Sequence, residues 1–237
     1  MKNGYFLCAD ILGFSEIVKN LSGLKDQKIL DQTIDKWINI VRDLTKKYEI
    51  DNQYQLLSDT LFLGIEDDDK KLSSLLYFCQ ELLEVTIENS LPVRGAICYG
   101  NYSFEKEMGY GKAIIEAHEL EQKQNWIGIT LDNRITYFVP NLTICYPIPM
   151  KAQEKIMLYK ALSWKVPKFE KLAELMNKDG LGGTQDKTKQ LDWGWGEKIG
   201  NTVMFGIYLD ALRQKGSDGS KFYGFHPVHF IDLTLRK

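Results

Sequence analysis

Two aspartates stand where apolar runs stop: Asp10 closes YFLCA at residues 5–9, and Asp59 interrupts QYQLLSDTLFLGI at residues 53–65. A carboxylate at a strand end projects from the edge of a core toward a cleft. Two of them on neighbouring strands can hold hard divalent cations roughly 3.5–4 Å apart, the spacing used in two-metal phosphoryl chemistry. Each aspartate also has a plainer reading, Asp10 as the cap of a following helix and Asp59 as a hairpin-turn residue.

The elements that must position this pair follow from hydrophobic period. Residues 5–9 read as a strand, Gly13 as a turn, and Ile17, Leu21 and Ile29 through Leu44 as helix. Residues 54–65 read as two strands joined at Ser58-Asp59, with Asp67-Asp68-Asp69 as a solvated loop beyond them. Leu72 to Ile87 repeats at helical spacing, and Pro92 opens a strand over Val93–Tyr99. A helix over Tyr110–Gln122 and strands over Ile127–Leu131 and Leu142–Tyr146 complete a mixed α+β sheet. After Pro149 the texture changes to prolines, a helix over Lys168–Asn177, a polar loop, a helix over Thr202–Gln214 and a strand over His229–Leu235. The chain therefore divides into a core, 1–149, and a carboxy-terminal extension, 150–237, packed on it.

Bulk properties narrow the function classes. The 237 residues are 44% hydrophobic, an ordinary globular content, and 30 Lys+Arg against 32 Asp+Glu leave a net charge of −2. That balance removes the main reason to expect binding to bulk nucleic acid or acidic membrane. The amino terminus shows no signal pattern and no apolar run approaches a bilayer span, so a cytoplasmic protein is expected. Cys8, Cys79, Cys98 and Cys145 lie singly among apolar neighbours, as buried free thiols do.

Four segments, in order, resemble class III nucleotidyl cyclases: FLCADILGFSEIV (6–18) and QLLSDTLFLGI (55–65) the two metal motifs, LPVRGAICYG (91–100) the Arg-x-Gly strand, and GYGKAIIEAHELE (109–121) the helix after it. The resemblance spans roughly residues 5–146. It implies a ferredoxin-like α+β catalytic core in which Asp10, Asp59 and the Ile11 carbonyl hold two Mn²⁺ or Mg²⁺ ions. Phe14 and the amides after Asp10 would cradle a triphosphate at a helix start. It further implies a homodimer with sites at the interface, each facing the Ile115–Glu119 helix of the other protomer.

Departures from the purine-specific pattern carry information too. Where those enzymes have a base-reading Lys, this chain has Gln55 beside Tyr54, and Met108 replaces an adenine-contacting Asp. In this the sequence is similar to the bacterial Pycsar cyclases, antiphage enzymes that make cyclic UMP or cyclic CMP for a separate effector. UTP is the expected substrate and CTP the alternative, with Tyr54 or Gln55 reading the base. The family's transition-state Asn and Arg fall at Ile115 and Glu119, which cannot play those roles. Arg94, at the start of a core strand, is the replacement cation expected first and Lys112 second; a surface ion pair is the plain reading of Arg94. The same losses fit a rival, a catalytically silent cyclase-like module that binds nucleotide or a partner. A diguanylate cyclase is disfavoured because its Gly-Gly-Asp-Glu-Phe signature is absent.

Weaker signals have bland readings. His226 and His229 fit a loop or strand edge better than a metal site, since Pro227 lies between them. His118 reads as an exposed helix residue, Trp193 and Trp195 as aromatics buried under the extension, and Asp186 to Lys189 as a solvated loop.

Overall fold

The computed structural model describes residues 1–19, 24–50, 53–105, 108–136, 141–151, 158–177 and 193–216. Strand β1 (Lys2–Ile11) lies inside the sheet, flanked by antiparallel β3 (Thr60–Glu66) and β4 (Val93–Phe104). Its residues are apolar on both faces because both faces are covered, the pattern of a fully buried strand. A two-residue loop joins β2 (Tyr54–Leu57) to β3, as the sequence predicts.

On the other side of β4 runs β6 (Gly128–Leu131), parallel to it, and the connection between them carries α4 (Lys112–Lys123). A parallel neighbour needs such a crossover. The short β5 (Gly109–Tyr110) folds back on the end of β4. Gly111 then turns the chain with φ +130°, and a Cβ there would come within 2.6 Å of the Asn101 carbonyl oxygen. Only glycine lets α4 start so close to β4.

Helices α1 (Phe14–Lys19), α2 (Leu24–Lys47) and α3 (Asp69–Glu88) lie where helical period is expected, with residues 20–23 outside the described residues. Trp37, Val41 and Leu44 of α2 and Leu72, Leu76, Phe78 and Leu83 of α3 join Tyr5, Leu7, Ala9 and Ile11 in the main core. Opposite, Ala113, Ala117 and Leu120 of α4 cover Phe6, Cys8, Ala96, Cys98 and Tyr102. The acidic run read as a solvated loop has structural work: Asp68 caps α3, accepting from the amides of Lys70 and Lys71 at 2.9 Å, and Asp69 opens the helix.

The chain after Pro149 contributes to the sheet itself. Strand β8 (Leu158–Leu162), which the sequence reading missed, lies between β6 and β7 (Thr143–Pro147), giving the order β2-β3-β1-β4-β6-β8-β7. Beyond it come α5 (Phe169–Asn177) and α6 (Trp193–Gly216), the latter starting nine residues before the expected Thr202. Phe205 of α6 packs edge-on to Trp126 at 4.9 Å and against Tyr146 at 4.8 Å, while Thr202 Oγ1 accepts the Ile127 amide at 2.9 Å. Trp195 is buried, as expected. All four cysteines are free. The expected features at 179–189 and 226–235 lie outside the described residues. No helix among the described residues is long and apolar enough to cross a membrane.

Candidate active site at one end of the central strands

Register brings the two aspartates to one end of the sheet. Asp10 stands opposite Thr60 of β3, and Asp59 is the residue before Thr60, in the β2–β3 turn. Ser58, the small residue preceding it, holds φ +58°, a left-handed conformation that costs a non-glycine residue about 1 kcal/mol and often marks a site that must be held in place. Burial first, and the Asp10 charge after it, push the Asp59 carboxyl up, against hydrogen bonds from its own amide and from Ser58. Asp10 is raised further, chiefly by burial and then by the Glu121 carboxylate, with Arg94 and Lys151 partly offsetting them.

One oxygen of Asp10, Oδ1, is buried without a hydrogen-bond partner. A carboxylate oxygen so placed carries a desolvation cost that a cation would remove. The donor set here, two carboxylates and the main chain at Ile11, is all oxygen, and it fits Mg²⁺ or Mn²⁺.

Arg94 stands opposite Asp10 on the other flank, in β4. It is not the surface ion pair of the plain reading, being only 5% exposed. Its Nε donates to Glu121 Oε1 at 2.6 Å, Nη1 donates to the Gln124 carbonyl at 3.0 Å, and Nη2 contacts Glu121 Oε1 and lies 3.7 Å from Asp10 Oδ2. In this arrangement the guanidinium is committed to the protein. Glu121, which the sequence reading passed over, is 2% exposed. Its signal was available: it falls one turn after Ala117 and two after Ala113, on the buried stripe of α4. Gln124 completes the network, donating to the Gly95 and Leu120 carbonyls and accepting from Trp126 Nε1 and Thr130 Oγ1.

The other expected residues separate. Gln55 pairs with Phe62, which pairs with Cys8, so it shares the Asp10 face of the sheet, and its amide donates to the Glu105 carbonyl. Tyr54 pairs with Leu63 and packs against the helix-covered core on the far face. Phe14 is a core side chain, so a phosphate contact there would fall to the backbone, and the Leu12 amide is already donated to Pro92 O. Lys112 opens α4 beside Asn101, at the opposite end of that helix from Glu121, and its ammonium lies 3.7 Å from Glu116. Within one chain it does not join the aspartates. Met108 and Ile115 are exposed, and Glu119 pairs with Lys123 at 3.6 Å.

No protein-family model matches the sequence, and no curated protein matches it. Solved structures do match in shape. The catalytic core of a rhodopsin-guanylyl cyclase with converted specificity, in complex with ATPαS, superposes with a TM-score of 0.53 at 13% identity, covering 68% of this chain and 96% of that one. The adenylyl cyclase CyaB from P. aeruginosa gives 0.49 at 14% identity, covering 68% and 94%. An adenylate/guanylate cyclase/hydrolase from Silicibacter pomeroyi gives 0.47 at 14%, covering 68% and 97%. Identities this low speak to fold alone, and on the first of these superpositions the chain has the class III nucleotidyl cyclase catalytic-core fold.

Proposed function

We propose that the protein is a nucleotidyl cyclase that converts UTP to 3′,5′-cyclic UMP and pyrophosphate, with CTP as the alternative substrate. The observation that carries this reading is the juxtaposition of Asp10 and Asp59 at one sheet end, with a buried, unpartnered carboxylate oxygen, on a cyclase-type fold.

In this reading Asp10, Asp59 and the Ile11 carbonyl hold a pair of Mn²⁺ or Mg²⁺ ions. When bound, such a pair lowers the pKa of the ribose 3′-hydroxyl and neutralises charge on the departing pyrophosphate. The chain's own groups do the rest. Asp10 and Asp59 fix where the α-phosphorus and the 3′-oxygen meet, so that attack runs in line. Arg94, clamped by Glu121 and Gln124, steadies the Asp10 carboxylate and is better suited to that than to touching phosphate. Lys151, an exposed cation whose charge is felt at Asp10, is the candidate for the triphosphate. Gln55 is placed on the site face and offers the donor and acceptor that distinguish a pyrimidine edge.

Exposed apolar side chains suit a second copy. Leu57, Met108, Tyr110 and Ile115 are 49–70% exposed, on or beside the strands and helix of the Asp10 face. A symmetric homodimer would cover them and form two equivalent sites. We place the protein in the cytoplasm, supplying its cyclic nucleotide to a separate effector in antiphage defence, as the resemblance implies.

Incubating the purified protein with each of the four ribonucleoside triphosphates and Mn²⁺, then identifying the product by mass, tests the reading. Cyclic UMP is expected. A product from ATP or GTP only would overturn the pyrimidine assignment. Failure to release pyrophosphate from any of the four would favour the silent nucleotide-binding module.

A further inference from the structure

We propose that Cys8, His118 and Glu121 form a second cation site, for zinc or a similar borderline transition metal, distinct from the Asp10–Asp59 pair. The Cys8 sulfur, a His118 ring nitrogen and a Glu121 carboxylate oxygen all lie within 4.8 Å of one another. Cys8 Sγ and His118 Nδ1 are 3.9 Å apart. Around a tetrahedral zinc, metal–sulfur and metal–nitrogen bonds of about 2.3 and 2.0 Å put those two atoms about 3.6 Å apart. That pair needs only a few tenths of an ångström of closure, and the Glu121 oxygen, within 4.8 Å of both atoms, must come in to meet it.

The fold builds this grouping. Cys8 is on the face of β1 that α4 covers, and His118 and Glu121 are three apart on α4, one above the other over that strand. Sulfur, nitrogen and oxygen donors select a softer ion than the all-oxygen set at Asp10 and Asp59. Three protein ligands leave a fourth position open to water.

Supporting contacts are already present. Arg94 holds Glu121 through Oε1, and the Asp10 carboxyl stands against the same side chain, so an ion bound by Cys8 and His118 would share this carboxylate with both neighbours. Gln122 Nε2 lies 3.2 Å from His118 Nε2. Ligation through Nδ1 leaves the ring proton on Nε2, and the Gln122 amide turned over accepts it, fixing the ring as outer partners of metal-bound histidines do. Cys8 and Glu121 are buried while His118 is exposed, so the ion enters past the imidazole. On binding, the buried thiol gives its proton to solvent and the sulfur becomes the ligand.

Titrating Co²⁺ into the full chain reads the site without nucleotide, through the thiolate-to-cobalt charge-transfer band in the near ultraviolet. One equivalent should produce the band in the native protein and in Asp59→Ala, and excess Mn²⁺ should leave it in place. Cys8→Ser should abolish it, and His118→Ala should weaken binding about tenfold or more. Absence of a sulfur band, or its survival in Cys8→Ser, overturns the proposal. Should Cys8→Ser not fold, the exposed His118 decides alone: unchanged Co²⁺ affinity in His118→Ala overturns the site. Because no cyclic product is measured, this outcome is independent of the cyclase reading.

Discussion

The two faces of the sheet obey different rules, and β1 shows both in one strand. Tyr5, Leu7, Ala9 and Ile11 point to the α2–α3 side, where they meet a core of leucines, isoleucines and aromatics. Phe6, Cys8 and Asp10 alternate to the α4 side, where the apolar cluster is small and gives way to Arg94, Glu121 and Gln124. A core of the first kind favours stability; a buried ion network is weak evidence for it, since desolvation offsets much of the Coulomb gain. The contrast teaches that the α4 face is kept polar at some thermodynamic cost, which is where chemistry is expected.

Substitutions can break that contrast. The largest effect expected is from Asp10→Ala or Asp59→Ala, which should cut pyrophosphate release at least about a hundredfold while far-ultraviolet circular dichroism stays native. Next, Glu121→Ala leaves the Arg94 guanidinium buried beside one distant carboxylate and should cost about 3–5 kcal/mol in denaturant unfolding. The paired change Arg94→Met with Glu121→Leu should recover most of that loss, which a purely additive response would contradict. On the α2–α3 face, Leu63→Ala should cost about 2–5 kcal/mol by leaving a cavity and should lower activity only through the folded fraction.

A smaller effect sharpens the comparison by its sign. Burial, with Glu121 beside it and Arg94 and Lys151 opposing, raises the Asp10 carboxyl in the metal-free chain. A carboxyl raised on folding is penalised when charged, so its protonated form favours the fold below the ordinary value of 3.8, and that advantage is lost as pH climbs toward neutrality. Asp10→Asn removes this loss and should stabilise the metal-free protein at pH 7 by on the order of 1 kcal/mol, while removing activity. Thermal melts of both proteins in chelator across pH 4–8 measure it; equal pH profiles would show the carboxyl to be unperturbed.

Much of this was legible in the sequence, for reasons that vary by residue. Both strand-end aspartates, the hairpin at Ser58-Asp59 and helix α3 follow from period and turn chemistry, which are local. Glu121 was legible in principle by its place on the α4 stripe, but its partner is 27 residues away and pairing across that gap is set by strand register. The burial of Arg94 follows from the same register. Strand β8 was missed because LYKAL is short and weakly patterned, and its place is fixed by neighbours on both sides. Gly196 and Gly200, residues of low helix propensity, fall within the nine residues by which α6 starts early. A Cβ at either would meet nothing within 4 Å, so these glycines cost propensity alone and packing elsewhere on the helix overrides it.

Strand β8 sets a condition on how the chain can be made and trimmed. It fills the gap between β6 and β7, both of which leave the ribosome before it. Until residue 162 has emerged, a nascent chain carries two hydrophobic ribbons with open hydrogen-bonding rims, templates for association with other chains. A fragment ending at residue 149 would be frozen in that condition, so any minimal version of this protein has to retain the segment through Leu162.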